Sequence, residues 1–354
     1  MLKLTNHIPS RTIRHDGQDY LFFSGTSYLG MAQNADFQQL LSESLSQFGT
    51  VFGVSRNGNL QLNIYDEAEA KLARHATAPA ALTVSSGMLA GQAVVRWLAH
   101  ESYRTGAEFV YGPGTHPALW RETGTVLSSQ SFGDWSANLV RQPARPAVIL
   151  TNALNPVRPE FFSFDWVTDL PVGQPITLVV DDSHGLGLLN GGRGIWPQIP
   201  AHPDVRLIVT ASLAKAMGLP GGVIFSDADT LASIRQTAFF GGCSPIPPAY
   251  LAAFCRADGL YEQARQTLAN RVALAELVLF PTGLFRYAPG YPVFHTDRDD
   301  LYPLLLENRI FIYSFAYPTA ADKPTTRIVI SAFHEEEDIH QLANCIDGKF
   351  NSEF

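Results

Sequence analysis

One pattern recurs along the first two thirds of the chain and limits what it can fold into. A short apolar, β-branched run is followed by a turn of small or polar residues and then by a segment with helical spacing. Ala81–Ser85 (ALTVS) runs into Ser86-Gly87 and then MLAGQAVVRWLAH. Glu108–Tyr111 (EFVY) runs into GPGTH and then PALWRETG. Further strands are predicted at Ala147–Thr151, Thr177–Asp181, Leu207–Ala211 and Gly222–Ser226. Continuous β-branched runs suit strands buried on both faces. Their alternation with helices predicts an α/β fold around a parallel or mostly parallel sheet.

After Pro247-Pro248 the pattern changes. Ala249 to about Leu279 reads as one or two helices, with Asp258-Gly259 as the point of interruption. Strands are predicted at Pro292–Thr296, Arg309–Ala316 and Arg327–Ala332, with a short helix at Leu301–Glu307. The acids Glu335–Asp338 open a last helix, where they favour its dipole. The 354 residues divide on this reading into an arm (1–45), a large α/β domain (46–255) and a small C-terminal α+β domain (256–354).

Composition excludes several classes of function. With 46% hydrophobic and only 16% charged residues, the chain is too apolar to remain disordered. A net charge of −8 gives no general attraction for a phosphate backbone, so no nucleic-acid partner is expected. Cys243, Cys255 and Cys345 lack CxxC spacing. They read as reduced thiols of a cytoplasmic protein, with neither a disulfide framework nor a metal site. No run approaches the ~18 apolar residues of a membrane span, and the N-terminus lacks a signal-peptide core.

Sites in open α/β sheets lie at strand carboxyl ends. The polar residues that follow the predicted strands are Ser85-Ser86-Gly87, His116, Asn152, Asp181 with His184, and Ser212 with Lys215. A carboxyl group, a histidine, a lysine and hydroxyls beside glycines suit a cofactor with a ring nitrogen, an aldehyde and a phosphate, which describes pyridoxal 5'-phosphate. Asp181 can keep the ring nitrogen protonated, and Lys215 can form the resting Schiff base. Ser86-Gly87-Met88 offers a helix start for the phosphate, with Ser212 beside it. His116 can stack on the ring and His184 can reach its phenolic oxygen.

The motifs carry a resemblance to a known family. YLFFSGTSYLGM, LTVSSGMLAGQAVV, LVVDDSHGLGLLNGGRG, TASLAKAMGLPGG, GGCSPIPPA and RIVISAFHEEEDI are similar to segments of the α-oxoamine synthases, within the fold-type I pyridoxal-phosphate transferases (aspartate aminotransferase-like). The resemblance covers nearly the whole chain. It implies Lys215, Asp181, His184 and His116 as the catalytic set. Ser86, Gly87, Met88, Ser212 and Ser244 would hold the phosphate, Ser244 reaching the site of a neighbouring subunit in a homodimer. Arg327 would bind the carboxylate of an amino-acid substrate, with Thr26 and Asn152 on the substrate side. The implied reaction is decarboxylative condensation of a small amino acid with an acyl thioester, on coenzyme A or a carrier protein. Another fold-type I reaction, such as transamination or side-chain cleavage, and a non-catalytic descendant are the competing readings.

The departures fall on the substrate side. Thr26 stands where the family has Asn. TNALNPVRPE stands for T-E/D-G-x-F-S-M-D-G, so that an acid becomes Asn152 and a serine becomes Pro156. Tyr65 replaces a histidine. Asp182 reads as structural and His334 as a support for the last helix. Arg327 is placed at the opening of its strand, where a solvated edge charge is the ordinary alternative.

Overall fold

The computed structural model describes residues 5–142, 145–155, 158, 160–316 and 323–350. The chain forms two compact units. The larger comprises Gln39–Pro156 and Phe161–Asp258; the other comprises Met1–Gln38, Val157–Glu160 and Gly259–Phe354.

The larger unit is built on a six-stranded sheet. Its order is Ala80–Val84, Gly222–Ser226, Val205–Ser212, Ile176–Asp181, Ala147–Asn152, Glu108–Tyr111. Gly222–Ser226 runs antiparallel to both of its neighbours, and the remaining pairings are parallel. Ile176–Asp181 is buried at every residue, as its unbroken apolar run requires in a sheet covered on both faces. The helix Gly87–Thr105 buries Ala90, Val94, Trp97 and Leu98, a stripe at helical spacing, into one cluster with Leu82, Val148, Val179, Ile208 and Ile224. Register sets Asn152 beside Asp181 and Asp181 beside Thr210, so the polar residues leave the sheet along one edge. A buried ion pair, Arg56 to Glu69 at 2.8 Å, also holds Thr83, whose N–H and hydroxyl each donate to Glu69 Oε1 at 2.7 Å.

The other unit also contains a six-stranded sheet. Its order is Thr12–His15, Gln18–Phe23, Ile310–Ala316, Pro324–Val329, Val293–Thr296, Arg286–Tyr287. Gln18–Phe23 pairs in parallel with Ile310–Ala316, and all other pairings are antiparallel. The first strands therefore form a hairpin that joins the C-terminal sheet. Its two-residue turn places Asp16 and Gly17 at φ 49° and 74°, the left-handed pair that Asp-Gly supplies at low cost. Arg11 fixes the hairpin to the last helix, Glu336–Phe350, donating to Asp338 at 2.7 and 2.9 Å. The helical stretch breaks as expected into Pro248–Cys255 and Asp258–Leu279. Among the described residues no helix is long and apolar enough to cross a membrane.

Candidate active site

The strand-end residues of the larger unit bond to one another. Asp181 is buried, and its Oδ1 accepts the Ser183 N–H at 2.9 Å. His116 Nδ1 lies 3.8 Å from Asp181 Oδ2 and accepts the Ala118 N–H at 3.1 Å, capping the turn Pro117–Leu119. The His116 N–H in turn donates to Asn152 Oδ1 at 3.0 Å, while Asn152 Nδ2 donates to the Gly114 carbonyl at 2.7 Å. Asn152, expected on the substrate side, thus spends both ends of its carboxamide on the His116 loop. A carboxylate there could accept from His116 but could not donate to Gly114. Pro156, the other altered position in that segment, lies outside the described residues.

Lys215 follows the strand Val205–Ser212 in a loop closed by its own backbone. The Leu213 N–H donates to the Gly221 carbonyl, and the Leu219 N–H to the Leu213 carbonyl, both at 2.9 Å. Ser183 Oγ accepts the Ser212 N–H at 2.9 Å, linking this loop to the one that carries Asp181 and the half-buried His184. Ser183 joins the site without having been expected there, although it stands between Asp182 and His184 in DDSHG. Burial pushes the His116 ring below the ordinary histidine value; Asp181 opposes that shift and Lys215 adds to it. Lys215 also acts on Asp182, so its charge is felt across the cluster.

Glycine brings the helix Gly87–Thr105 to this cluster. A Cβ on Gly87 would lie 2.6 Å from Ser212 Cβ and 2.8 Å from Ser212 Cα. Only a residue without a side chain lets the helix start and the Ser212–Lys215 loop approach so closely. Ser86 Oγ caps the helix by accepting the Leu89 N–H at 3.1 Å. The N–H groups of Gly87 and Met88 have no intrahelical carbonyl to bond and form a small anion-attracting end. The Met88 side chain itself is half exposed.

Asp182 has a different role from its neighbour. It is buried; Oδ2 accepts the Ile195 N–H at 2.7 Å, and Oδ1 has no hydrogen-bond partner among the described residues. A Cβ on Gly185 or Gly194 would overlap its carboxyl oxygens. The glycines of GLGLLNGGRG thus make room for this carboxyl group, and burial drives its pKa well above the ordinary Asp value. Tyr65 is fully buried, and its hydroxyl donates to the Ile246 carbonyl at 2.8 Å, steadying the turn that holds the exposed Ser244.

Thr26 and Arg327 belong to the other unit. Thr26 lies half-buried in the loop before Tyr28, whose carbonyl accepts the Ala332 N–H at 2.7 Å. Arg327 does not open its strand but lies within Pro324–Val329. It is buried, with its guanidinium 4.1 Å from the centroid of the Tyr313 ring. The expectation that Arg327 opens its strand is corrected here: the strand begins three residues earlier, at Pro324, and the alternative of a solvated edge charge does not hold. His334 stacks on Phe23 at 4.2 Å, and its Nδ1 accepts the Ser331 N–H at 2.9 Å. It thereby supports the residues just before the last helix.

A mostly parallel sheet with a lysine, an aspartate and a histidine gathered at its carboxyl edge marks a transferase of fold type I. Residues 132–346 match the family described as aminotransferase class I and II, and the chain belongs to that family. Similar curated proteins include 8-amino-7-oxononanoate synthase from Thiobacillus denitrificans, 26% identical over 94% of this chain and 89% of that one. The 8-amino-7-oxononanoate synthase of Dechloromonas aromatica is 27% identical, over 92% and 89%. Among solved structures, serine palmitoyltransferase from Sphingomonas wittichii has a TM-score of 0.81 at 18% identity, covering 99% of this chain and 92% of that one. The structure of 8-amino-7-oxononanoate synthase from Francisella tularensis has a TM-score of 0.70 at 18% identity, covering 94% and 98%. The solved structures establish the fold. These relatives bear out the α-oxoamine synthase resemblance carried by the motifs.

Proposed function

We propose that this protein is a pyridoxal-phosphate-dependent acyltransferase that condenses a small amino acid with an acyl thioester and releases carbon dioxide, the reaction class of 8-amino-7-oxononanoate synthase. The observation that supports it best is the cluster of Asp181, His116, Ser183, Ser212 and Lys215 beside the Gly87 helix start. The residues fit the cofactor: the close approach that Gly87 permits sets the helix-start N–H groups of Gly87 and Met88 beside the Ser212 loop, a donor set that suits a phosphate. Bound there, the cofactor supplies an electron-withdrawing ring that stabilises negative charge on the α-carbon of an attached amino acid.

The side chains of this chain do the rest. Lys215 is the amine that carries the cofactor, and once displaced it moves the proton of the substrate α-carbon. Asp181 holds a proton on the ring nitrogen; burial strengthens that interaction, and the Ser183 N–H fixes the orientation of its carboxyl group. His116, locked by Asn152 and Ala118, offers a flat surface for the ring. His184 bonds the phenolic oxygen. Ser86, Gly87, Met88 and Ser212 hold the phosphate. Arg327 binds the amino-acid carboxylate, a planar task suited to guanidinium, with Thr26 on the substrate side. The exposed Ser244 serves the site of a second copy in a cytoplasmic homodimer.

The reading is tested by thiol release from a panel of acyl-CoA esters with alanine, glycine and serine. Release that depends on both substrates supports it. Transfer of an amino group to a keto acid, with no thiol released, would replace it with an aminotransferase.

A further inference from the structure

The register of the C-terminal sheet places four side chains in one row on one face. Arg286 stands opposite His295, His295 opposite Arg327, and Arg327 opposite Tyr313. Directly paired residues on neighbouring strands share a face. His295 therefore sits between two guanidiniums. It is 9% exposed, and its Nδ1 has no hydrogen-bond partner among the described residues. Buried polar groups are nearly always bonded, so this ring nitrogen marks a position that a water or a ligand group can satisfy.

Beside this row lies a cavity of about 660 Å³, lined by His295, Arg286, Arg158 and Lys323 together with Asp297 and Asp299. Asp299 accepts the Thr326 hydroxyl at 2.7 Å, and Asp297 pairs with Arg286. Three cations face two carboxylates, Asp297 being paired with one of those cations, Arg286, so the lining keeps a small net positive charge. Burial and the flanking Arg327 and Arg286 hold the His295 ring neutral, down to about 3. A neutral ring with its hydrogen on Nδ1 is a donor without an acceptor. A ligand that offers oxygen acceptors and negative charge answers both features.

We propose that this cavity is a second anion-binding site, separate from the carboxylate anchor at Arg327, that takes a phosphate or carboxylate group of the acyl donor. The anion site follows from the row and the cavity; its assignment to the acyl donor rests on the acyltransferase reading above. His295 is the specificity-determining donor, and Arg286 and Lys323 supply the charge. Two sources share the chemistry: the phosphates of a coenzyme A carrier, and a carboxylate at the far end of the acyl chain.

The test is calorimetric titration of the holoenzyme with coenzyme A and, separately, with heptanedioate. One of the two binds, which names the source. Arg286→Gln and Lys323→Ala each weaken that binding by about tenfold or more. Lys323 is exposed, so its variant keeps the fold even if His295→Phe does not. Alanine titrated in parallel reads the Arg327 anchor: its failure to bind wild type counts against the functional reading and not against this site. If neither probe binds wild type, or if both charge variants bind as wild type does, the cavity is not an anion site.

Discussion

At the carboxyl edge of the parallel sheet, the polar side chains leave the strand ends and bond one another. Asp181 takes the Ser183 N–H, Ser183 takes the Ser212 N–H, and Asn152 takes the His116 N–H. In the C-terminal sheet the charged row Arg286, His295 and Arg327 lies across the middle of the strands, held by register and by stacking on Tyr313. The first arrangement is nearly complete within the protein, and what it offers is orientation. The second leaves Nδ1 of a buried imidazole without a hydrogen-bond partner among the described residues. The two sheets thus differ in how their polar side chains are satisfied, the first by hydrogen bonds between loops and the second by register and ring stacking.

That contrast breaks if the network around Asp181 does not govern reactivity. Asp181→Asn should lower exchange of the α-proton of alanine by roughly 10²–10³-fold while retaining some bound cofactor. The same change at Asp182, which faces Ile195 and two glycines, should have a milder effect. Deuterium exchange followed by NMR makes the comparison, and equal losses at the two positions would erase the distinction.

The next effect concerns stability. Burial lowers the His334 pKa to about 4. The folded-state value lies below the unfolded one near 6.5, so this contribution is present above about 6.5 and is lost as pH falls through about 4. The shift corresponds to about 3 kcal/mol. Urea unfolding of wild type and His334→Asn at pH 7.5 and 4.5 should show wild type losing about 2.5 kcal/mol more on acidification, most of that contribution.

The smallest effect sharpens the other side of the contrast. Arg327→Ala should weaken alanine binding by about 1.5–3 kcal/mol, roughly tenfold or more. Arg327→Lys should recover only part, since lysine keeps the charge but loses the fork. Spectroscopic titration of the holoenzyme separates the two, and full binding by Arg327→Ala would move the anchor elsewhere.

The same division explains what could be read from the sequence. Each strand of the parallel sheet is an unbroken β-branched run ending in its own polar turn, so Asp181, Lys215 and Ser86 announced themselves locally. Asp182 could be separated from Asp181 by the glycines that follow it. The pairing of Gln18–Phe23 with Ile310–Ala316 joins segments nearly three hundred residues apart and leaves no local trace. The row Arg286–His295–Arg327 depends on the register of three strands, which hydrophobic spacing does not fix where a buried arginine and histidine stand among the apolar residues. Asn152 looked like a substrate contact because an acid had been replaced; its partners, the His116 N–H and the Gly114 carbonyl, lie on another loop.

On the proposed function, Lys215 carries the cofactor at the edge defined by Asp181 and Gly87. Borohydride reduction of the protein supplied with pyridoxal phosphate, followed by peptide mapping, tests it directly. The account predicts a single reduced phosphopyridoxyl label on Lys215, in the peptide containing TASLAKAMGLPGG. A label on another lysine, or no label on protein with Lys215 intact, would contradict it.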